Sequence, residues 1–459
     1  MIGAPRPLAG HPAAAPAPDA VDAALLLLYV IGIYLGVDVH LSAGTPIPTV
    51  LSGLAGGVML LKHMDRLRVD QVVPLLFVIL LFLGSILAAS VHDLDYLGKR
   101  TTGLLQLSYS LIIGYGLYLT ILLFERRRVA RLFGWFCVAI VVGCLMENHI
   151  EPFRQLSDTV RGMIFNFGVY DADRRDLLLY GQIRPKLFTS EPSAVTFAFT
   201  LFAFCWYVLS EWRWKAAGYG LLFAAAFVTM RGPTLLLGLV LVGPYELFLA
   251  PRRPLPAGSR YDLTRGLAAA LLALALAVVA AIVGLNLYAE RIADIQAGTD
   301  PSFFSRVTAP YLVADQVMRH HPIAGIGLTA ENSILEQVRQ IYMQSGDLVS
   351  NYTFDDARHA LTNFFWMHWI YLGAVWGVIL LVGLSGYLKA LGAPSLLFCW
   401  SVWAVLGQAS GAYVSPKTWT VLYLACAIAI LHQRAAAARP VPDVAPRRGF
   451  APVAGGLGR

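Results

Sequence analysis

The sequence predicts an all-α protein: a polytopic transmembrane bundle of about 12 helices. Three observations carry this. Hydrophobic residues make up 57% of the 459-residue chain, and charged residues only 14%. Mean hydropathy is +0.63, outside the range of soluble globular chains. The apolar residues fall in runs of about 20, the length that crosses a hydrocarbon core as a helix. Backbone in lipid must satisfy its own hydrogen bonds, so these runs read as helices.

The expected helices lie at 22–38, 46–61, 71–91, 103–124, 132–149, 188–210, 216–230, 233–249, 266–288, 361–384, 394–411 and 418–432. The Pro/Ala-rich segment 1–21 lacks an apolar core and reads as a disordered tail, as does the basic segment 433–459. Between them, 22–432 forms one transmembrane domain with two long polar loops, 150–187 and 289–360. In the first, Leu156–Phe167 alternates like a surface amphipathic helix. In the second, Phe303–Met318 has the pattern of a helix lying at the membrane interface.

Short-loop charge orients the chain. Lys62, Arg66 and Arg68, then Arg126, Arg127, Arg128 and Arg131, then Arg213 and Lys215, then Arg252, Arg253, Arg260 and Arg265 fall on one side. Positive short loops stay in the cytoplasm, so both termini are expected there and both long loops outside. The turns on the other side hold only Lys99, Arg100, Arg231 and Lys417. The net charge of +7 belongs with anionic lipid headgroups, and no nucleic-acid partner is expected. Five cysteines inside apolar runs, with no CxxC pair, suggest neither a disulfide framework nor a metal site.

The outer arginines are the chemical signal. Arg231 sits at the mouth of a tight hairpin beside Pro233 and Thr234, which start the next helix. An arginine beside a helix N-terminus makes an anion site, although one that snorkels to headgroups looks the same in sequence. Arg306 opens a stretch that ends in Arg319, His320, His321 and the turn-rich Pro322–Gly327, able to bring backbone close to a ligand. Glu191, before Pro192, reads as an acid complementing the dipole at a helix start, with Ser190 or Thr189 as the cap. The alternative is a base, or the partner of Arg184. Arg358, His359 and Asn363 begin the helix at 361–384, with His368 deeper, where an imidazole needs a partner or a function. Trp366 and Trp369 suit an interfacial belt or a sugar-stacking platform.

At these residues the chain resembles the O-antigen ligase/polymerase superfamily, which polymerises or transfers lipid-linked glycans of bacterial envelopes. SRVTAPYLVADQVMRHHPIAGIGL, from Ser305, resembles that family's Ser-Arg, amphipathic segment, His-Pro-hydrophobic-x-Gly-hydrophobic-Gly pattern. Asn363 followed by Gly373 and Gly377 resembles its Asn-x9-Gly segment, and MRGPTLLLGL its membrane-face arginine at Arg231. The ligases' His before the Asn is Thr362 here, with His359 three residues earlier, which favours a polymerase over a ligase. The resemblance implies an undecaprenyl-diphosphate-linked glycan as substrate, with no cofactor. It further implies a bacterial inner-membrane location and company with flippase and chain-length regulator proteins. It places Arg231, Arg306, Glu191 and His359 in catalysis, and Arg184, Arg319, His321, Arg358 and Asn363 in binding. A ligase and a transporter or flippase of lipid-linked sugars are the competing readings.

Overall fold

The structure is a computed structural model that describes residues 17–40, 46–91, 93–165, 170–250, 293, 300–344 and 356–437. The helix expected at 266–288 lies outside them. The other eleven expected helices are present: α1 Ala20–Leu35, α2 Val50–Lys62, α3 Val69–Ser90, α4 Leu97–Ile121, α5 Arg126–His149, then α8 Pro192–Leu209, α9 Lys215–Met230, α10 Leu235–Phe248, and lastly α13 Phe364–Ala390, α14 Leu396–Gly407 and α15 Pro416–Ala437. Between these lie α6 Glu151–Ile164, α7 Asp173–Tyr180, α11 Ala309–His320 and α12 Leu335–Gln344. A two-residue antiparallel pair, Val39–His40 with Pro46–Ile47, is the only sheet among the described residues.

Among the described residues, five helices (α3, α4, α5, α8 and α13) are long and apolar enough to cross a membrane. Only 33% of the apolar stretch of α3 is buried within the protein, against 83% for α8. A helix apolar all round and buried all round belongs at the centre of a bundle. So α8 and α15 are central, while α3, α5 and α13 turn apolar faces outward. The five cysteines are buried and unpaired.

Helices reach into both segments read as tails, 1–21 and 433–459. Asp19 and Asp22 form a reciprocal capping box that starts α1 at Ala20, and Lys62 pairs with both acids at 2.6 and 2.7 Å. At the other end α15 runs through Ala437, where Arg434 donates to the Leu122 carbonyl that ends α4, at 3.2 Å.

Basic residues at this end cap neighbouring helices. Arg126 donates from Nε to Leu209 O at 2.7 Å and from Nη2 to Val208 O at 3.1 Å, and Lys215 donates to Tyr207 O at 3.2 Å. Each completes carbonyls that a helix C-terminus leaves without partners.

The first polar loop folds back on the bundle. α6 buries Ser157 and Arg161 and turns Leu156 and Met163 outward, the reverse of a soluble amphipathic helix. In the second loop, α11 buries Ala309, Val313, Ala314 and Val317 and exposes Tyr311 and Leu312. α12 had no counterpart in the expected helices.

Candidate functional site

Three helix N-termini open on one cavity of about 320 Å³. The first turn of α8 contributes Glu191, Ser193 and Ala194, the residues before α13 contribute Leu361 and Thr362, and α15 contributes Lys417. Arg306, Arg358, Glu331, Tyr371 and the Ala409–Tyr413 loop close it. Helix N-termini carry partial positive charge and free N–H groups. Adding three cations there makes a concentrated anion-attracting site with two carboxylates at its edge.

Arg306 is held by its backbone. It lies in a π-helical turn, Phe304–Thr308, that leads into α11. Pro310 has no N–H to give to the carbonyl of Arg306, or to Ser305 in the wider π register. The vacated carbonyls are taken by the next polar segment. Asn363 Nδ2 donates to Arg306 O at 2.7 Å, and Thr362 donates to Ser305 O from N at 3.3 Å and from Oγ1 at 3.2 Å. Asn363 also caps α13, accepting from Phe365 N and Trp366 N, and donates to Gln408 Oε1 at 2.8 Å. Asn363, expected to bind substrate, is fully buried and instead positions Arg306.

Glu191 occupies the N-cap position of α8 itself, so neither Ser190 nor Thr189 is the cap. Its carboxylate caps no backbone N–H. It accepts from the Ser193 hydroxyl and lines the cavity. The turn segment before it, 186–189, is pinned throughout. Glu147 accepts from Lys186 N at 3.0 Å and Leu187 N at 2.6 Å. Ser157 Oγ accepts from Phe188 N at 3.1 Å, and Arg161 Nε donates to Thr189 O at 2.8 Å.

Glu331 and Lys417 escaped the sequence reading. Glu331 is buried in a short 3-10 turn, Glu331–Ile334, and accepts from the Tyr371 hydroxyl. Burial pushes its carboxyl above the usual range, against the bond from Tyr371, which acts downward. Lys417, in sequence only one of the short-turn charges, has an amine with no hydrogen bond or ion pair among the described residues. Arg358 is exposed and stands 3.8 Å from Asp356.

The remaining expected residues lie elsewhere. Arg231, placed in catalysis with Arg306 by the resemblance, is not among the residues lining the cavity. Arg231 ends α9 in a left-handed conformation and donates to Tyr180 O, at the carbonyl end of α7. A helix C-terminus attracts a guanidinium, which is the physical reason for its direction. Arg184 is buried against Asp176, with Nη2 2.9 Å from Oδ1, and stacks on the Tyr180 ring at 4.5 Å. It clamps the loop and is not open to a ligand. Arg319 is exposed and pairs with Asp315 one turn away at 2.9 Å. His321 lines a neighbouring hollow with Arg100. His359 falls in the 3-10 turn Ala357–His359, and its side chain is outside the described residues.

The Pro322–Gly327 turn brings backbone close to backbone, where a ligand had been expected. α13 breaks at Gly373, φ +66° and ψ −173°. Into that break the turn inserts: Ile326 N donates to Ile370 O at 3.0 Å, Gly327 N to Tyr371 O at 2.9 Å, and Ala374 N to Pro322 O at 2.8 Å. A Cβ on Gly373 would lie 2.7 Å from Gly325 N and from His321 O. Buried Arg100, also passed over in the sequence, donates to Ile326 O at 3.0 and 2.8 Å. This splice fixes Tyr371, and through it Glu331.

His368 is buried and partnered on both nitrogens, with Gly377 O 3.0 Å from Nε2 and Tyr413 OH 2.9 Å from Nδ1. A carbonyl only accepts, so Nε2 carries the proton and Tyr413 donates to Nδ1. Trp366 packs on Tyr311 at 5.1 Å and does not line the cavity; the cavity's aromatic rings are Phe197, Tyr371 and Tyr413. Among the described residues no group of three or more His, Cys, Asp or Glu gathers as a metal site would require.

Chemically, the site can hold a multiply charged anion and leave a carboxylate beside it. The chain matches no protein-family model, no curated protein and no solved structure.

Proposed function

We propose that this chain is a glycosyltransferase of the bacterial inner membrane that joins undecaprenyl-diphosphate-linked repeat units on the outer face. The observation that carries the reading is the convergence of Arg306, Arg358 and Lys417 on three helix N-termini, with Glu191 and Glu331 alongside. Glycosyl transfer from a lipid diphosphate needs charge stabilisation on the leaving group and a base for the incoming hydroxyl. The acceptor oxygen attacks the anomeric carbon, the bond from that carbon to the diphosphate oxygen breaks, and the diphosphate departs with the electron pair. Guanidinium and ammonium groups fixed around its oxygens stabilise the charge as it develops. The lipid tail lies against the outward apolar faces of the bundle.

The sequence resemblance supports a polymerase, since Thr362 stands where the ligases have His. Here Thr362 has a structural task, donating to Ser305 O.

Deleting the gene and inspecting envelope glycans tests the reading. Loss of long chains, with single repeat units still delivered, is the expected result. Accumulated full-length lipid-linked chains would replace it with a ligase, and repeat units trapped inside would replace it with a flippase.

A further inference from the structure

A second cavity, of about 370 Å³, adjoins the first, and Glu331 and Arg358 line both. These two side chains therefore form the wall between the hollows. The second cavity differs in chemistry. Its charged residues, Lys99, Glu331, Asp356 and Arg358, are two cations and two acids, and the rest of its polar lining is neutral amides and hydroxyls: Thr102 and Gln106 of α4, Thr329 and Asn332.

Their existing bonds leave defined capacity. Gln106 gives its amide to Pro46 O at 2.6 Å, which leaves its carbonyl. Thr102 and Thr329 donate to Gly98 O at 3.0 Å and Lys99 O at 2.7 Å, which leaves their oxygens as acceptors. Asn332 Oδ1 accepts from Ala357 N at 2.9 Å, which leaves its amide as a donor. Short neutral donors and acceptors around one hollow suit an uncharged polyhydroxyl ligand, whereas the first cavity suits a diphosphate.

We propose that this second cavity holds the acceptor sugar and that Glu331, in the dividing wall, is the base that takes its hydroxyl proton. The inference rests on the glycosyl-transfer reading above. Glu331 touches both cavities, and a base must reach the acceptor oxygen while that oxygen reaches the donor's anomeric carbon. Glu191 lines only the first cavity and is engaged by Ser193. In the step, the O–H proton passes to the Glu331 carboxylate, a bond forms from acceptor oxygen to anomeric carbon, and the diphosphate leaves with the electrons of the broken bond. Burial that raises the Glu331 carboxyl makes it a stronger base than an exposed carboxylate.

The test uses the full-length protein in lipid, a diphosphate-linked repeat unit as donor and the free oligosaccharide repeat as acceptor. Asn332→Asp keeps the oxygen that accepts from Ala357 N and replaces the amide donor with a charged oxygen that cannot donate; Thr102→Val removes a hydroxyl at constant shape. Each should raise acceptor KM by about three- to tenfold, with donor KM within about twofold of wild type. Glu331→Gln retains an oxygen for Tyr371 and should cut kcat by about 100-fold or more, with both KM values near wild type. Unchanged acceptor KM in both pocket variants, an equal rise in donor KM, or a near-normal kcat in Glu331→Gln would overturn the assignment. If the wild-type protein itself transfers nothing, the glycosyl-transfer reading falls first, and this one with it.

Discussion

The two ends of the helix bundle both collect cations and use them in opposite ways. At the basic end, Arg126, Lys215 and Arg434 donate to carbonyls at the C-termini of α8 and α4. A cation at a helix C-terminus lowers the energy of the folded chain unaided. At the cavity end, Arg306, Arg358 and Lys417 stand among the N-termini of α8, α13 and α15, whose partial charge has the same sign. Arg306 also meets Ser302 and Arg358 stands near Asp356, yet all three cations line a hollow that favours an anion. The contrast separates cations that complete helix carbonyls from cations that face a cavity, which the sequence alone does not do.

The largest effect should come from the cavity end's backbone, since its rigidity lies there. Gly373→Ala puts a Cβ against Gly325 N and His321 O at a left-handed position, and should cost about 3 kcal/mol. A sharp fall in folded yield and thermal midpoint in detergent would report it. Wild-type stability in this variant would mean that the splice between the Pro322–Gly327 turn and α13 does not hold the site.

Next, Arg306→Gln should reduce glycosyl transfer by about 100-fold and, since Gln can still meet Ser302, shift the thermal midpoint little. Arg126→Ala should do the reverse, destabilising by about 1–2 kcal/mol with transfer per folded molecule retained. Similar midpoints for the two variants would erase the distinction between the ends.

The smallest effect concerns pH. The Glu331 carboxyl is raised by burial, so its ionised form is lost, and transfer with it, as pH falls through a value above the ordinary carboxylate range. The sign for stability is opposite. A raised folded-state pKa favours the protonated carboxyl, so its stabilising contribution is full below the unfolded value and fades as pH rises through the folded one. Glu331→Gln should flatten both dependences; an acidic limb that stays in place in that variant would assign it to another group.

Much of the architecture was legible. Apolar runs of spanning length located eleven helices, with ends up to six residues off as at Arg126 and Ala390, because lipid forces backbone bonding into the segment itself. Arg306, Arg358 and Glu191, which line one cavity, were also singled out, because an ionisable group at a helix mouth is conspicuous in so apolar a chain. Their partners were not. Lys417 and Arg100 lie in the first turns of α15 and α4, beside short connections whose charges serve in sequence only as orientation signals. Glu331 lies in a polar loop where nothing in sequence marks it as buried. Arg184 and Arg231 had the right residue type at the right membrane depth, yet Asp176 and the carbonyl end of α7 claim them. Asn363 was singled out correctly but for the wrong task, since only the missing N–H of Pro310 explains why it must meet Arg306.

Binding of undecaprenyl diphosphate tests the central claim most directly. Titrated into the purified wild-type protein, it should raise the thermal midpoint as a ligand of the folded state does, and added salt should weaken the effect. In Arg306→Gln and Lys417→Met its affinity should fall about tenfold or more. Equal affinity in wild type and both variants would contradict the assignment of this cavity to the diphosphate.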